Sequence, residues 1–312
     1  MQRVAVTGAT GFIGRRLVHR LLADGVAVTA LSRRRDPDLD RSGAAVVVGS
    51  LEDAGALSQL VEGADAVVHA AGAVRARTSQ QFVETNAGST RRLIYAAARL
   101  RPPPRLLLLS SLAAREPMLS PYAASKRAAE DALAQEARGL WWLALRPPAV
   151  YGPGDRATLP LFRAMKRGLL PVPADGSGRF SLIHVDDLTA AIVALISSDV
   201  AGGQILEVRD GAARGYSWLD LVEVAGRAAG RSVRPIRVPA SILRLTAAVG
   251  GTICRGLGLS PMLSPGKVRE ILHPDWVCTV NPVADQTDWR PSVDVTSGFR
   301  RTFEWYAESG WI

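Results

Sequence analysis

Tyr122 stands four residues ahead of Lys126 in SPYAASKRA (120–128), inside a run that reads as an amphipathic helix. That spacing puts both side chains on one helical face, one turn apart. A phenol with an unperturbed pKa of about 10 is a poor acid–base catalyst at neutral pH. A neighbouring ammonium stabilises the phenolate and brings its proton into the working range. Lysine is scarce in this chain: of 38 basic residues only Lys126, Lys166 and Lys267 are lysines. Arginine would also supply charge, but lysine's compact, rotatable ammonium can in addition reach the ribose hydroxyls of a cofactor. Ser111 ends the apolar run RLLLLSS (105–111), where its hydroxyl could bond the same substrate oxygen as the phenol. The chemistry these three residues describe is proton transfer at an oxygen.

A cofactor site is written at the N-terminus. VTGATGFIG (6–14) spaces Gly8, Gly11 and Gly14 where an apolar run meets an amphipathic one. The first glycine permits a tight turn, the second lets backbone N–H groups approach a pyrophosphate, and the third lets helix and strand pack closely. Phosphates then rest on a helix N-terminus, where unpaired N–H groups and the dipole favour negative charge. Glycines alone are weak; at a strand–helix junction the motif becomes specific for a dinucleotide. NAD-preferring sites carry Asp or Glu at the end of the second strand for the ribose hydroxyls. Here Ser32 is followed by Arg33. A hydroxyl and a guanidinium suit a 2′-phosphate, which a carboxylate would repel. NADP(H) is therefore favoured, and NAD(H) is not excluded.

Strands and helices must hold these residues, and the first half of the chain alternates them. Apolar runs at 3–8, 26–31, 44–49, 64–72, 105–111 and 141–147 read as strands. Amphipathic segments at 14–25, 52–63, 90–100 and 120–137 read as helices between them. Near-continuous apolar strands alternating with helices predict an α/β fold, a Rossmann-type doubly wound parallel sheet covered on both faces. The sheet domain is expected over 1–150, with a returning strand–helix unit at about 180–198. Residues 151–179 and 199–312, where Gly and Pro interrupt the pattern, are expected to form a smaller substrate-binding lobe.

Composition narrows the class. With 312 residues, 47% of them hydrophobic and 21% charged, the chain can bury a large core. Cys254 and Cys278 are too far apart for a CxxC pair and read as free thiols of a reducing compartment. The four histidines lack metal-ligand spacing, so no metal is expected. The N-terminus lacks the apolar run of a signal peptide, and no stretch reaches the ~18 apolar residues of a membrane span. A cytoplasmic protein is expected. The segment 241–259 leaves two readings open, a buried helix pair or an interfacial amphipathic segment that would make the protein peripheral to the inner face of a membrane. The net charge of +9 has neither a basic tail nor interleaved aromatics, so a solvated arginine-rich surface is expected rather than nucleic-acid binding.

Further motifs fall in a fixed order: TGATGFIG (7–14), HAAG (69–72), Asn86 in VETNAGST, SS (110–111), YAASK (122–126), RPPAVYGPGD (146–155) and HVDDL (184–188). In these the chain resembles the short-chain dehydrogenase/reductase superfamily, in the extended branch that contains the NAD(P)-dependent epimerase/dehydratase proteins. The resemblance implies Tyr122 as acid/base, Lys126 as its pKa-lowering partner and ribose ligand, and Ser111 as the orienter of the substrate oxygen. It implies a dinucleotide lined by Gly8, Thr10, Gly11, Phe12, Ile13 and Gly14 of the first loop, and by Ser32 and Arg33 after the second strand. Ser50 and Leu51 follow the third strand, Ala70, Ala71 and Gly72 the fourth, with Asn86, a structural residue near the site, and Pro148 completing the set.

Departures from the branch bear on the substrate. Ser50 stands where many members carry the Asp of GDL, and Asp53 nearby is equally explained as a helix cap. Ala149 replaces the Asn of NVYGP. Phe180 and Ser181 stand where nucleotide-sugar enzymes tend to have Arg-Asp, and Arg179 is one residue out of register, on the other face of a strand. Only a short segment separates Ser111 from Tyr122. These features resemble the 3β-hydroxysteroid dehydrogenase and dihydroflavonol reductase side of the branch, whose substrates are bulky and apolar. The expectation is an NAD(P)(H)-dependent oxidoreductase interconverting a ketone and a secondary alcohol on a hydrophobic small molecule, such as a keto-lipid or a steroid-like compound. A homodimer is compatible with it. The alternatives are a nucleotide-sugar epimerase or dehydratase, and a non-catalytic NAD(P)-binding assembly subunit or redox sensor.

Overall fold

A computed structural model describes residues 1–173, 176–256, 263–280 and 282–312. From the N-terminus the elements are β1 (Arg3–Thr7), α1 (Phe12–Ala23), β2 (Ala27–Ser32), α2 (Pro37–Ser42), β3 (Ala45–Val48), α3 (Ala54–Val61) and β4 (Ala66–His69). They continue with α4 (Ser79–Val83), a π-helical turn at Glu84–Gly88, α5 (Ser89–Ala98), β5 (Arg105–Leu109), α6 (Pro121–Glu136) and β6 (Trp142–Arg146). A later strand, Gln204–Glu207, joins them in a seven-stranded sheet of order Gln204–Glu207, β6, β5, β4, β1, β2, β3. Every pairing in it is parallel. The sheet is the expected doubly wound one.

The strands are apolar because helices cover both faces. β1, β4 and β5 are buried along almost their whole length, so alternation of polar and apolar residues would leave polar groups stranded. α1 turns Leu17, Val18 and Leu21 to the sheet and Arg16, His19 and Arg20 outward. Side chains fix where the helices start: Asp53 caps α3 through the N–H groups of Gly55 and Ala56, and Ser120 caps α6 through that of Ala123. Pro121 then occupies the first turn of α6, where its missing N–H costs nothing.

The described chain divides into two compact units. The first comprises Met1–Arg146, Thr189–Glu207 and Pro282–Trp289. The second comprises Pro147–Leu188, Val208–Asn281 and Arg290–Ile312. Its strands are short: Leu182–His184 pairs with Ala149–Tyr151, Leu169–Pro173 with Arg234–Val238, and Arg179–Phe180 lies between Tyr216–Ser217 and Asp275–Trp276. An aromatic core built on Tyr151, Phe162, Phe299 and Tyr306 holds it together, with ring centroids 4.9–5.2 Å apart. Trp305 and Trp311 pack half-buried against the same core. The buried Asp187 carboxylate accepts from Ser292 N, Ser292 Oγ and Val293 N and pins a loop to the helix Val185–Ser197.

The segment 241–259 falls on the single helix Ala240–Gly256, and its last residues, 257–259, lie outside the described residues. Ile242, Leu245 and Val249 of this helix are exposed. Among the described residues, no helix is long and apolar enough to cross a membrane.

Candidate active site

Parallel strands in this order bring the loops after β1 to β5 to one edge of the sheet. Between β1 and β4 the winding reverses, which opens a crevice at the carboxyl ends of the strands. All but one of the residues expected at the site sit on these loops or on the elements that follow them. Pro148 is the exception, for it belongs to the second unit.

The glycine loop fits a dinucleotide by exclusion. Gly8 has φ +71°, and a Cβ on it would lie 2.6 Å from Ala71 N. A Cβ on Gly14 would lie 2.1 Å from Gly8 O, so α1 could not pack so close to the loop. Gly11 N donates to Gly8 O at 2.9 Å, and no side chain caps α1 there. An uncapped N-terminus with Thr10 and Gly11 exposed is what a pyrophosphate needs. Phe12 and Ile13 begin the helix half-buried.

At the end of β2 the Ser32 hydroxyl donates to Arg34 O at 2.6 Å, leaving its oxygen only to accept. Arg33 is exposed, as are Arg34 and Arg35 after it, and its guanidinium can donate to a phosphate at this edge. After β3, Ser50 Oγ accepts from Glu52 N, while Leu51 O accepts from Arg92 Nε. Asp53 is occupied as the cap of α3.

After β4, Ala70, Ala71 and Gly72 run past a buried network. Thr7 Oγ1 accepts from Ala71 N and lies 2.6 Å from His69 Nδ1, and His69 Nε2 lies 3.1 Å from Ser89 Oγ. Ser89 Oγ donates to Thr85 O, so the roles resolve around a neutral imidazole: Thr7 donates to Nδ1, and the Nε2 proton goes to Ser89. Burial and the Lys126 charge hold the His69 pKa at about 3, which keeps it neutral. Asn86, on the π-helical turn, accepts from Ala73 N and donates to Ala73 O and Ser125 Oγ. Its amide clamps the loop after β4 to α6.

Tyr122 and Lys126 lie one turn apart on α6, and Tyr122 packs edge-on against Phe82 of α4 with centroids 6.2 Å apart. Lys126 is only 5% exposed, and its Nζ donates to Leu109 O at 2.9 Å. Burial lowers its pKa to about 8, against which the Glu130 charge acts. Gly72 makes room for it, since a Cβ there would lie 3.0 Å from both Lys126 Nζ and Asn86 Oδ1. Leu109 O is the one acceptor of the ammonium among the described residues, and two protons remain for ribose hydroxyls.

The two serines at the end of β5 diverge. Ser110 turns inward and donates to Glu130, whereas Ser111 is half-buried and its Oγ accepts from Ala113 N as the cap of the next turn. The Ser111 proton stays available to a substrate oxygen. Glu130 escaped sequence reasoning. Fully buried, it takes Ser110 on Oε1 and a bidentate pair from Arg146, at 2.8 Å from Nε and 2.6 Å from Nη2. Its signal was an acidic residue four places after Lys126, on the face of α6 otherwise lined with Ala123, Ala129, Ala132 and Leu133.

Comparison with known proteins adds to this geometry. The model of the NAD dependent epimerase/dehydratase family matches residues 4–208. The ceramide reductase of Caulobacter vibrioides is 39% identical over 99% of this chain and 96% of its own length. The 2-alkyl-3-oxoalkanoate reductase of Stenotrophomonas maltophilia is 27% identical over 96% of this chain and 98% of its own. Among solved structures, UDP-glucuronic acid 4-epimerase from Bacillus cereus, in complex with UDP-glucuronic acid and NAD, matches with a TM-score of 0.75. It is 19% identical and covers 99% of this chain and 100% of that one, a likeness of fold.

The Glu130–Arg146 pair makes a stability prediction. Glu130→Gln takes from the largely buried Arg146 its bidentate carboxylate partner and should cost about 3 kcal/mol in chemical denaturation. Adding Arg146→Met should restore much of that loss, because the penalty comes from the unpaired charge.

Proposed function

The chain belongs to the NAD-dependent epimerase/dehydratase family, and from that premise we propose that it reduces the ketone of a long-chain lipid, such as a sphingolipid 3-ketone, with NADP(H). It is an NAD(P)-dependent oxidoreductase of the extended short-chain dehydrogenase/reductase type. The observation that carries the chemistry is the buried Lys126, held by Leu109 O one helical turn from Tyr122. Whole-length likeness to proteins named ceramide reductase and 2-alkyl-3-oxoalkanoate reductase supports the lipid substrate.

When bound, the dinucleotide supplies the hydride. The loop Gly8–Gly14 holds its pyrophosphate, Lys126 its ribose, and Arg33 a 2′-phosphate. Tyr122 gives its proton to the carbonyl oxygen, and the Lys126 ammonium stabilises the phenolate left behind. Ser111 donates to the same oxygen and fixes its orientation.

A nucleotide-sugar epimerase has thinner support. Arg179 is tied by its guanidinium to the carbonyl oxygens of Arg214 and Gly215, and the in-register places hold Phe180 and Ser181. A non-catalytic subunit gains nothing from burying a lysine beside a tyrosine, which costs stability.

Three outcomes follow for NADPH-dependent reduction of a long-chain ketone. Tyr122→Phe lowers kcat by at least about a hundredfold while dinucleotide binding, read by fluorescence titration, stays within about twofold. The kcat/KM of the wild type falls as pH rises through about 8, because the Lys126 pKa is lowered to that range and the neutral amine no longer supports the phenolate. Arg33→Ala raises the KM for NADPH about tenfold and leaves that for NADH nearly unchanged.

A further inference from the structure

We propose that the exposed face of helix Ala240–Gly256, with the arginines that precede and share it, docks the protein on an anionic lipid surface. The proposal rests on the lipid-ketone reading and deepens it, since a long-chain lipid resides in such a surface.

Ile242, Leu245 and Val249 are 50%, 64% and 52% exposed. Their spacing of three and four residues makes one apolar stripe along the helix, while Ala247 on the other side is fully buried. The strand Arg234–Val238 ends two residues before the helix and adds Ile236, 45% exposed. Arg234, Arg237 and Arg244 are exposed among these residues, and none is ion-paired to a described acid. Charge is lopsided here. Between Glu223 and Glu270 lie eight basic residues and no acidic one, in a chain whose net charge is +9.

An apolar stripe flanked by arginines suits a bilayer interface, where the aliphatic groups enter the acyl boundary and the guanidinium groups meet phosphates. The helix has 17 residues, about 25 Å, and lies in the plane of the interface. A nucleic acid would use the arginines but leave the stripe in water. A second copy of this face would set arginines against arginines.

The test is co-sedimentation of the full-length protein with vesicles of phosphatidylcholine, with and without phosphatidylglycerol. Wild type should partition onto the phosphatidylglycerol vesicles, less so as salt rises. Ile242→Ser/Leu245→Ser/Val249→Ser should weaken partitioning at least about tenfold. Arg234→Gln/Arg237→Gln/Arg244→Gln should weaken it about a hundredfold, each arginine beside an anionic leaflet contributing about fivefold. Both variants should keep the wild-type circular dichroism and its rate on a short, water-soluble β-keto ester. Equal sedimentation of wild type and variants overturns the proposal. So does a wild type that stays in the supernatant, or a serine variant that converts a dimer to a monomer. Tight binding of a short DNA duplex that survives the serine substitutions assigns the face to nucleic acid instead. If the wild type partitions as expected but reduces no ketone, the reductase reading fails while the docking face stands.

Discussion

A buried ammonium is the constraint around which the first unit is arranged. Lys126 sits 5% exposed on the inner face of α6, where burial pulls its pKa down to about 8. An unfolded lysine titrates near 10.4, so the folded chain gives up this proton first. Stability is therefore lower below pH ~8 than above the unfolded pKa, and the cost fades as pH rises between the two. The fold tolerates it by giving the ammonium the carbonyl of Leu109 and the Glu130 charge four residues on. A group that costs stability in this way is expected where chemistry needs it.

Neighbouring features become intelligible from that charge. His69 is held neutral partly because Lys126 is close, and a neutral ring can join Thr7 to Ser89 beneath the loop after β4. Gly72 has no side chain because Lys126 and Asn86 occupy the space a Cβ would meet. Glu130 is in turn held by Ser110 and Arg146, which tie α6 to the ends of β5 and β6. The end of β5 also carries Ser111 and the acceptor of Lys126, so the anchor of α6 and the proposed proton-transfer residues share one framework.

The parts legible in the sequence were those encoded by spacing along the chain. Gly8, Gly11 and Gly14 at a strand–helix junction, and Tyr122 with Lys126 at one helical turn, each declare a local geometry. The near-continuous apolar runs likewise imply a parallel sheet buried on both faces. What escaped depends on contacts between distant segments. Glu130 and Arg146 meet only once α6 lies on the sheet, and nothing in SS tells that Ser110 turns inward while Ser111 does not. Arg179–Phe180 pairs with two-residue strands near positions 216 and 275, too short for any periodicity to show. The pattern of helix Ala240–Gly256 reads equally as core or as surface, because an apolar stripe does not say what it faces.

Reductase and epimerase chemistry share a fold and differ in what becomes of the cofactor, consumed in one case and regenerated in the other. The absence of an arginine at Phe180–Ser181 and likeness to proteins named ceramide reductase and 2-alkyl-3-oxoalkanoate reductase support consumption. The most direct measurement is stoichiometric. The protein is given a limiting amount of NADPH and an excess of a long-chain sphingolipid 3-ketone, and the lipid alcohol is counted by mass spectrometry. The account predicts one alcohol formed for each NADPH oxidised, and no conversion of UDP-sugars under the same conditions. Unchanged ketone and NADPH, or UDP-sugar isomers formed many times over per cofactor, would contradict it.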